Sequence, residues 1–424
     1  MRWLLLGFVC ACGDNVTPRL RQVRYDIAGV EVPDPRLFHD LQRDEDCVAT
    51  PWADGATYCT PAFTPAVYTD PICSQPLAQT ADAPAGYAAT YFALRGEVSL
   101  RRLRPVVSEV PPPAQYWVLD RTECIGPYAG DASMHFGALG GELDESQFVR
   151  LRRSAPQGDG RVQRIALDTD DGQRFPTGFY DRALATGCSL EHTSDVASPR
   201  CVPDAIAATL FGDASCSQPV LVAPPELPAF ARYGANDCPT YAPLADDVSG
   251  QPVFGVRGGQ CAPVTLPEAY ELYSVGAPLE LPVVTRDRGD GMRIQPITVV
   301  TGDVRVADLA VHDGELGVDC RPGLLAGTSR CLPETADTVT YFIDEQCRDP
   351  IDVALLADGS CAPQPRYALH AGEIHAIGEP VPGQLFEVST GDRCMPHVAA
   401  PPLVAHLIGP ALPAETFVAA DVRY

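Results

Sequence analysis

An all-β ring built from three internal repeats is the architecture this sequence predicts, and three observations lead there. A string of aspartates, cysteines and prolines recurs three times in one order. Between these landmarks apolar and polar residues alternate, the period-two signature of strands, while 42 prolines and 36 glycines break up long helices. The two ends of the chain are complementary, so a ring leaves no open sheet edge where a row of domains would leave two.

The repeated string begins at Phe38, Phe179 and Val311. It carries Asp40, Asp181 and Asp313, then Cys47, Cys188 and Cys320, then a C-x-P at Cys59, Cys201 and Cys331 preceded by Tyr58, Arg200 and Arg330. An aromatic-x-Asp-x-x-Cys-x-x-Pro motif closes it, ending on Pro76, Pro219 and Pro350. The chain therefore divides into modules 17–155, 156–288 and 289–424, each of about 135 residues. Each module ends on a second pattern, a glycine with an apolar residue eight positions on: Gly140 with Phe148, Gly276 with Val284, Gly409 with Phe417, and once more at Gly378 with Phe386. Segments such as VTYFID, QLFEVST and TFVAADVRY alternate, which gives about twelve short strands per module. VPDAIAATLF alone has a helical look, and its repeat mates do not share it.

Modules two and three open on a strand-like segment behind a Gly-Asp-Gly turn, GDGRVQRIALD and GDGMRIQPITVV. TPRLRQVRYDI offers the equivalent near the N-terminus, and the chain stops at FVAADVRY, just before that segment would come again. A β-propeller-like closed ring uses both ends, with Arg19 to Tyr25 beside Phe417 to Tyr424. The alternative is a row of three tandem β-sandwich domains, with a capped edge at each end.

The N-terminus supplies an address. Arg2, the apolar run Leu4 to Val9, and Ala11 before Cys12 read as a signal peptide over residues 1–11, and Val9-Cys10-Ala11-Cys12 resembles the lipobox of bacterial lipoproteins, which implies a lipidated Cys12 and a tether over 12–16. Cys10 does not fit as the modified residue, because Val9 stands where a small side chain is required. No later run approaches the roughly 18 apolar residues of a membrane-spanning helix.

Setting Cys10 and Cys12 aside leaves an even number of cysteines, without the C-x-x-C spacing of zinc sites, and these read as disulfides of an oxidising compartment. The near-constant gaps predict Cys47 with Cys59, Cys188 with Cys201 and Cys320 with Cys331, each stapling a hairpin by about 3 kcal/mol. Cys216 with Cys238, Cys347 with Cys361 and Cys73 with Cys124 follow, leaving Cys261 and Cys394 unassigned. A rival scheme joins each C-x-P cysteine to the cysteine of the aromatic-x-Asp motif.

Charge and composition narrow the chemistry. A formal charge of -24 argues against nucleic acid and anionic lipid as partners. All 31 basic residues are arginine, which excludes a P-loop lysine, a Schiff base and a Ser-Lys dyad. Repetition marks Asp70, Asp213 and Asp344 as turn caps, because a catalytic site is one constellation and a turn is needed in every module. Asp168, Asp170 and Asp171 in LDTDDG resemble a fragment of a calcium loop, but the downstream glutamate is missing and Asp-Gly is an ordinary hairpin turn, so no cofactor is expected. His39 and His312 share a position with Tyr180, which asks for a ring rather than an imidazole, and the spacing of His370 and His375 carries no motif. The sequence contains no H-E-x-x-H and no G-x-S-x-G.

Taken together, the lipobox, the R-C-x-P and F-x-D-x-x-C-x-x-P repeats and the absence of lysine resemble a group of uncharacterised cysteine-rich repeat lipoproteins of myxobacterial type. The resemblance covers nearly the whole mature chain and is strongest in the cores of the repeats. It implies a bacterial lipoprotein, and Gly13 after Cys12 implies sorting to the outer membrane. Module one departs from the pattern by lacking a cysteine that matches Cys238 or Cys361. The expected function is non-catalytic binding of an extracytoplasmic protein or glycan, with two alternatives: a hydrolase or lyase with an acidic pocket at the ring centre, and a purely structural envelope component.

Overall fold

The computed structural model describes residues 18–81, 86–94, 97–120, 123–131, 133–193, 198–223, 229–235, 238–257, 260–266, 271–291, 293–357, 361–389, 393–397 and 403–424. Apart from two single 3-10 turns, Glu145–Gln147 and Ala414–Thr416, its regular structure is all strand. VPDAIAATLF follows its repeat mates, forming the short strands Ile206–Ala207 and Leu210–Phe211.

Each module begins with a four-stranded antiparallel meander. The first is Leu20–Ile27, Val30–Asp40, Glu45–Pro51 and Thr57–Thr60. The second is Val162–Thr169, Arg174–Asp181, Thr186–Glu191 and Arg200–Pro203. The third is Ile294–Thr301, Val304–Asp313, Val318–Leu325 and Thr328–Pro333. Each module also ends on a bridging strand, Val149–Arg153, Thr285–Arg288 or Ala420–Arg423, which pairs with the first strand of the next meander. On its other side Val149–Arg153 pairs with Thr57–Thr60, while the other two seams are single bridges, Arg200 to Val283 and Arg330 to Ala419. The last strand meets the first through Arg24↔Arg423, Tyr25↔Val422, Asp26↔Asp421 and Ile27↔Ala420.

The pairing of the chain ends occurs as the sequence predicts, and it rules out three sandwiches in a row. The propeller reading needs correction. Propeller blades are separate sheets stacked around a channel, whereas here the meanders join edge to edge through the bridging strands, in a sheet that runs without a break from Arg200–Pro203 to Ala420–Arg423 by way of the first meander.

Three apolar clusters fill the seams. Phe38, Leu20, Leu151 and Phe175 join modules one and two, with the two phenylalanine rings 5.0 Å apart. Val162, Cys201, Val284 and Val299 join two and three, and Ile27, Val32, Ile294, Val311 and Ala420 join three and one. Side chains of this size each stabilise by about 1.5–3 kcal/mol when fully buried. The alternation visible in the sequence therefore serves contacts between modules as much as within them.

Between meander and bridging strand every module builds a second sheet. In module one Phe63–Tyr68, Pro76–Thr80, His135–Leu139, Glu97–Val110 and Tyr87–Leu94 pair in a circuit, closed by parallel pairing of Phe63 with Tyr87. The same parallel contact recurs as Ile206↔Ala231 and Thr335↔Tyr367. A two-stranded arm leaves each of these sheets: Gln115–Asp120 with Glu123–Ala129, Val253–Arg257 with Gln260–Val264, and Phe386–Ser389 with Arg393–Pro396.

Candidate functional site

The repeated aspartates prove to be of two structural kinds. Asp40, Asp181 and Asp313 are almost fully buried, each at the end of a second meander strand. Each takes a two-pronged contact from an arginine that opens its module: Arg19 at 2.7 Å, Arg161 at 2.9 Å and Arg293 at 2.9 Å. The same guanidinium groups donate to the carbonyls of Gln147, Glu280 and Thr416, just ahead of the bridging strands. Each aspartate also accepts backbone N–H bonds from its own turn, as Asp181 does from Ala183 and Leu184. This arginine–aspartate bolt ties start, middle and end of every module together. Its register places Leu281, not Val284, in the position of Phe148 and Phe417, because Glu280 matches Gln147 and Thr416; Val284 corresponds to Leu151 and Ala420, which corrects the glycine spacing read in module two.

Asp70, Asp213 and Asp344 cap exposed turns, as their repetition implied. Asp344 accepts from the N–H groups of Gln346, Arg348 and Asp349, and the bond from Asp349 does most to hold its carboxyl below the usual range. At Asp213 the Ser215 hydroxyl leads, followed by the N–H of Gln218. At Asp70 desolvation pushes upward and is outweighed by N–H bonds from Ser74, Gln75 and Ile72.

These turns force Cys73, Cys216 and Cys347 to φ of 51°, 52° and 51°, in the left-handed region. From there each cysteine reaches the outer strand of its arm. The bridges are Cys73–Cys124, Cys216–Cys261 and Cys347–Cys394, with Cα separations of 5.7, 5.7 and 5.6 Å. Within the meanders Cys47 bonds Cys59, Cys188 bonds Cys201 and Cys320 bonds Cys331, which removes the rival C-x-P scheme. The pairings of Cys216 with Cys238 and of Cys347 with Cys361 need correction, since Cys238 bonds Cys361 across modules two and three. Cys238 opens the strand Cys238–Asp247, separated from Pro219–Ala223 by Glu271–Val275 in the same sheet, and Cys361 lies in a bend, whereas Cys261 and Cys394 come within 3.7 Å of the Asp213 and Asp344 carbonyls. Seven disulfides point to an oxidising, extracytoplasmic environment.

The arms are attached lightly. Phe211↔Phe254 and Phe342↔Phe386 are the only ladder pairs holding the second and third arms to their sheets among the described residues. Apolar side chains nonetheless stand exposed along them: Ile125 and Tyr128, Val256, Val388 and Met395.

The three modules differ at one equivalent station facing the ring seam. Register pairs His39 with Asp46, Tyr180 with Gly187, and His312 with Asp319. In module one the His39 ring contacts Asp46 at 2.9 Å and stacks on Tyr424 at 4.0 Å. In module three His312 and Arg286 converge on Asp319 at 2.8 and 2.7 Å, and Arg286 also holds Asp308. In module two the arginine persists as Arg153, paired with Leu167 as Arg286 is with Val299. Gly187 and Thr177 stand there in place of the two acids, and a cleft of about 360 Å³ opens around them.

The remaining candidates disperse. Asp168 pairs with Arg174, Asp170 with Arg152, and Asp171 accepts the Arg19 N–H, so the LDTDDG carboxylates serve neighbouring strands. His375 donates from Nδ1 to the Gly409 carbonyl at 2.9 Å, and its ring lies 5.9 Å from that of His370. No group of three metal-ligating side chains converges among the described residues. The signal peptide, Cys12 and the tether lie outside the described residues, and no helix among them is long and apolar enough to cross a membrane. Sequence reasoning missed the bolt arginines, although each precedes an apolar strand residue, Leu20, Val162 or Ile294, at the start of its module.

A family model described as Family of unknown function (DUF7481) matches residues 4–417, and the chain belongs to that family. No curated protein and no solved structure matches it.

Proposed function

We propose that this member of the family is an extracytoplasmic binding protein, tethered to a bacterial outer membrane through acylated Cys12, whose disulfide-pinned arms engage a protein or glycan partner. One observation carries the reading. Three exposed arms contribute little to any core, yet each is fixed by a disulfide and presents apolar side chains to solvent. Pinning such an element lowers the ordering cost of association, and exposed apolar residues gathered on projecting hairpins suit a contact surface. The repeated carboxylates are engaged in bolts and turns, which leaves the arms as the repeated feature with no structural duty. The likeness to repeat lipoproteins of myxobacterial type supplies the address. From Cys12 to Pro18 the chain reaches about 20 Å at most, which would hold the seam between modules one and two, where Arg19 N–H meets Asp171, close to the bilayer.

The test combines palmitate labelling with capture from the native envelope. Label should attach to the wild type and vanish in Cys12→Ala. Val256→Glu together with Val388→Glu should abolish capture of the partner that the wild type retains, at unchanged thermal stability. Capture that survives both arm substitutions would refute the arms as the contact, and label surviving Cys12→Ala would refute the anchor.

A further inference from the structure

We propose that the module-two cleft around Arg153 binds a small monocarboxylate, using an arginine that module three neutralises internally. The comparison is built into the molecule. Arg286 spends its charge on Asp308 and Asp319 at 2.9 and 2.7 Å. At the equivalent place Arg153 keeps the position and loses both acids, to Thr177 and Gly187, and its guanidinium has no ion-pair or hydrogen-bond partner among the described residues. The chain has 55 acidic residues against 31 arginines, and Arg153 is an exposed arginine that lines a cleft without meeting any of them among the described residues.

Gly187 adds a second observation. A Cβ placed there would lie 2.8 Å from Nη2 of Arg153, and its φ is not in the left-handed region that glycine alone favours. The guanidinium occupies the space a side chain at 187 would take, and as the end of a flexible side chain it can swing aside to meet one. A planar fork of N–H donors matches a carboxylate in two-pronged fashion. Asp204 lines the same cleft and Arg153 is its sole cation, so a dianion such as phosphate is disfavoured, while Ile165, Leu167 and Phe179 give the body of the ligand an apolar wall. The cleft volume of about 360 Å³ lies at the small end of the range for small-molecule pockets.

The experiment titrates 3-phenylpropionate into purified, disulfide-intact protein by calorimetry, with 3-phenylpropionamide and inorganic phosphate as comparison probes. Saturable 1:1 binding of the carboxylate is expected, weakened at least tenfold for the amide, for phosphate and in Arg153→Gln. Gly187→Asp restores the acid that the sister modules carry, so it should abolish binding by pairing with Arg153 while thermal stability stays level or rises. Absence of carboxylate binding, equal binding of amide or phosphate, or unchanged binding in Arg153→Gln would each overturn the proposal. Arg153→Gln alters an exposed side chain and keeps the test open should Gly187→Asp fail to fold.

Discussion

Replacing Asp181 with alanine tests the bolt that recurs in every module. The carboxylate is fully buried, meets Arg161 at 2.9 Å, and accepts the N–H groups of Ala183 and Leu184 at 2.9 and 3.3 Å. Removing one partner of a buried pair costs about 3–5 kcal/mol, because a charge and several donors lose their acceptor. The Arg161 side chain is 37% exposed and can return to water, which places the loss near the lower end, about 3 kcal/mol. The turn N–H groups of Ala183 and Leu184 lose their acceptor as well. Asp181→Asn keeps an acceptor oxygen for the turn and loses only the charge, so it should cost about 1–2 kcal/mol. Urea denaturation with the disulfides intact reads both: the midpoint should fall in the order wild type, Asn, Ala, at unchanged slope. An alanine variant within about 0.5 kcal/mol of wild type, or an asparagine variant worse than alanine, would refute the bolt as a stabilising device.

Other consequences can be measured separately. Freeing the second arm by Cys216→Ala with Cys261→Ala should sharply raise hydrogen exchange over residues 253–264, and the global midpoint should fall by well under the about 4 kcal/mol that a 45-residue crosslink is worth in the chain-entropy model, because the native arm gains freedom too. Global collapse without local exchange would contradict the light attachment. Asp213 and Asp344 have depressed folded-state values, so their stabilisation is present above the unfolded carboxylate value of about 3.9 and is lost as pH falls through the lower folded value; the stability gap between wild type and Asp213→Asn should be constant at neutral pH and narrow only below about pH 4. Deleting residues 420–424 removes the strand that pairs with Leu20–Ile27 and uncovers Ile27 and Val32; gel filtration should then show self-association through the open edges, and a well-behaved monomer would count against closure.

The parts of this fold that show in the sequence are those written in one-dimensional spacing. Asp40, Asp181 and Asp313 stand out by repetition, and the local bridges Cys47–Cys59, Cys188–Cys201 and Cys320–Cys331 stand out by their gaps. The pairing of the two end strands was legible because each carries the pattern the other lacks. The bond between Cys238 and Cys361 was not, since it joins a strand of module two to a bend of module three, 123 residues apart in the chain. Edge-to-edge joining of the meanders, in place of stacked blades, rests on the bridging strands, whose sequences read only as further short strands. The cleft at Arg153 is defined by two missing carboxylates, and an absence becomes visible only when structurally equivalent positions are superposed. The arginines of the bolts lie just upstream of the repeated string, so an alignment that starts from the aspartates does not reach them.

The closing contact between Ala420–Arg423 and Leu20–Ile27 repeats, in strand order, what Val149–Arg153 and Thr285–Arg288 do at the internal seams. Every module thus lends its last strand to a neighbour and receives one from the other side. An excised module would carry a donor edge and an acceptor edge that cannot satisfy each other, and the simplest assembly to use both is a head-to-tail cyclic homotrimer of heterologous interfaces. The chain is, in this sense, such a trimer written into one polypeptide. A single polypeptide has what no symmetric oligomer can have, namely positions free to differ between repeats: a covalent tie across one seam of three, and an arginine left unpaired at one station of three.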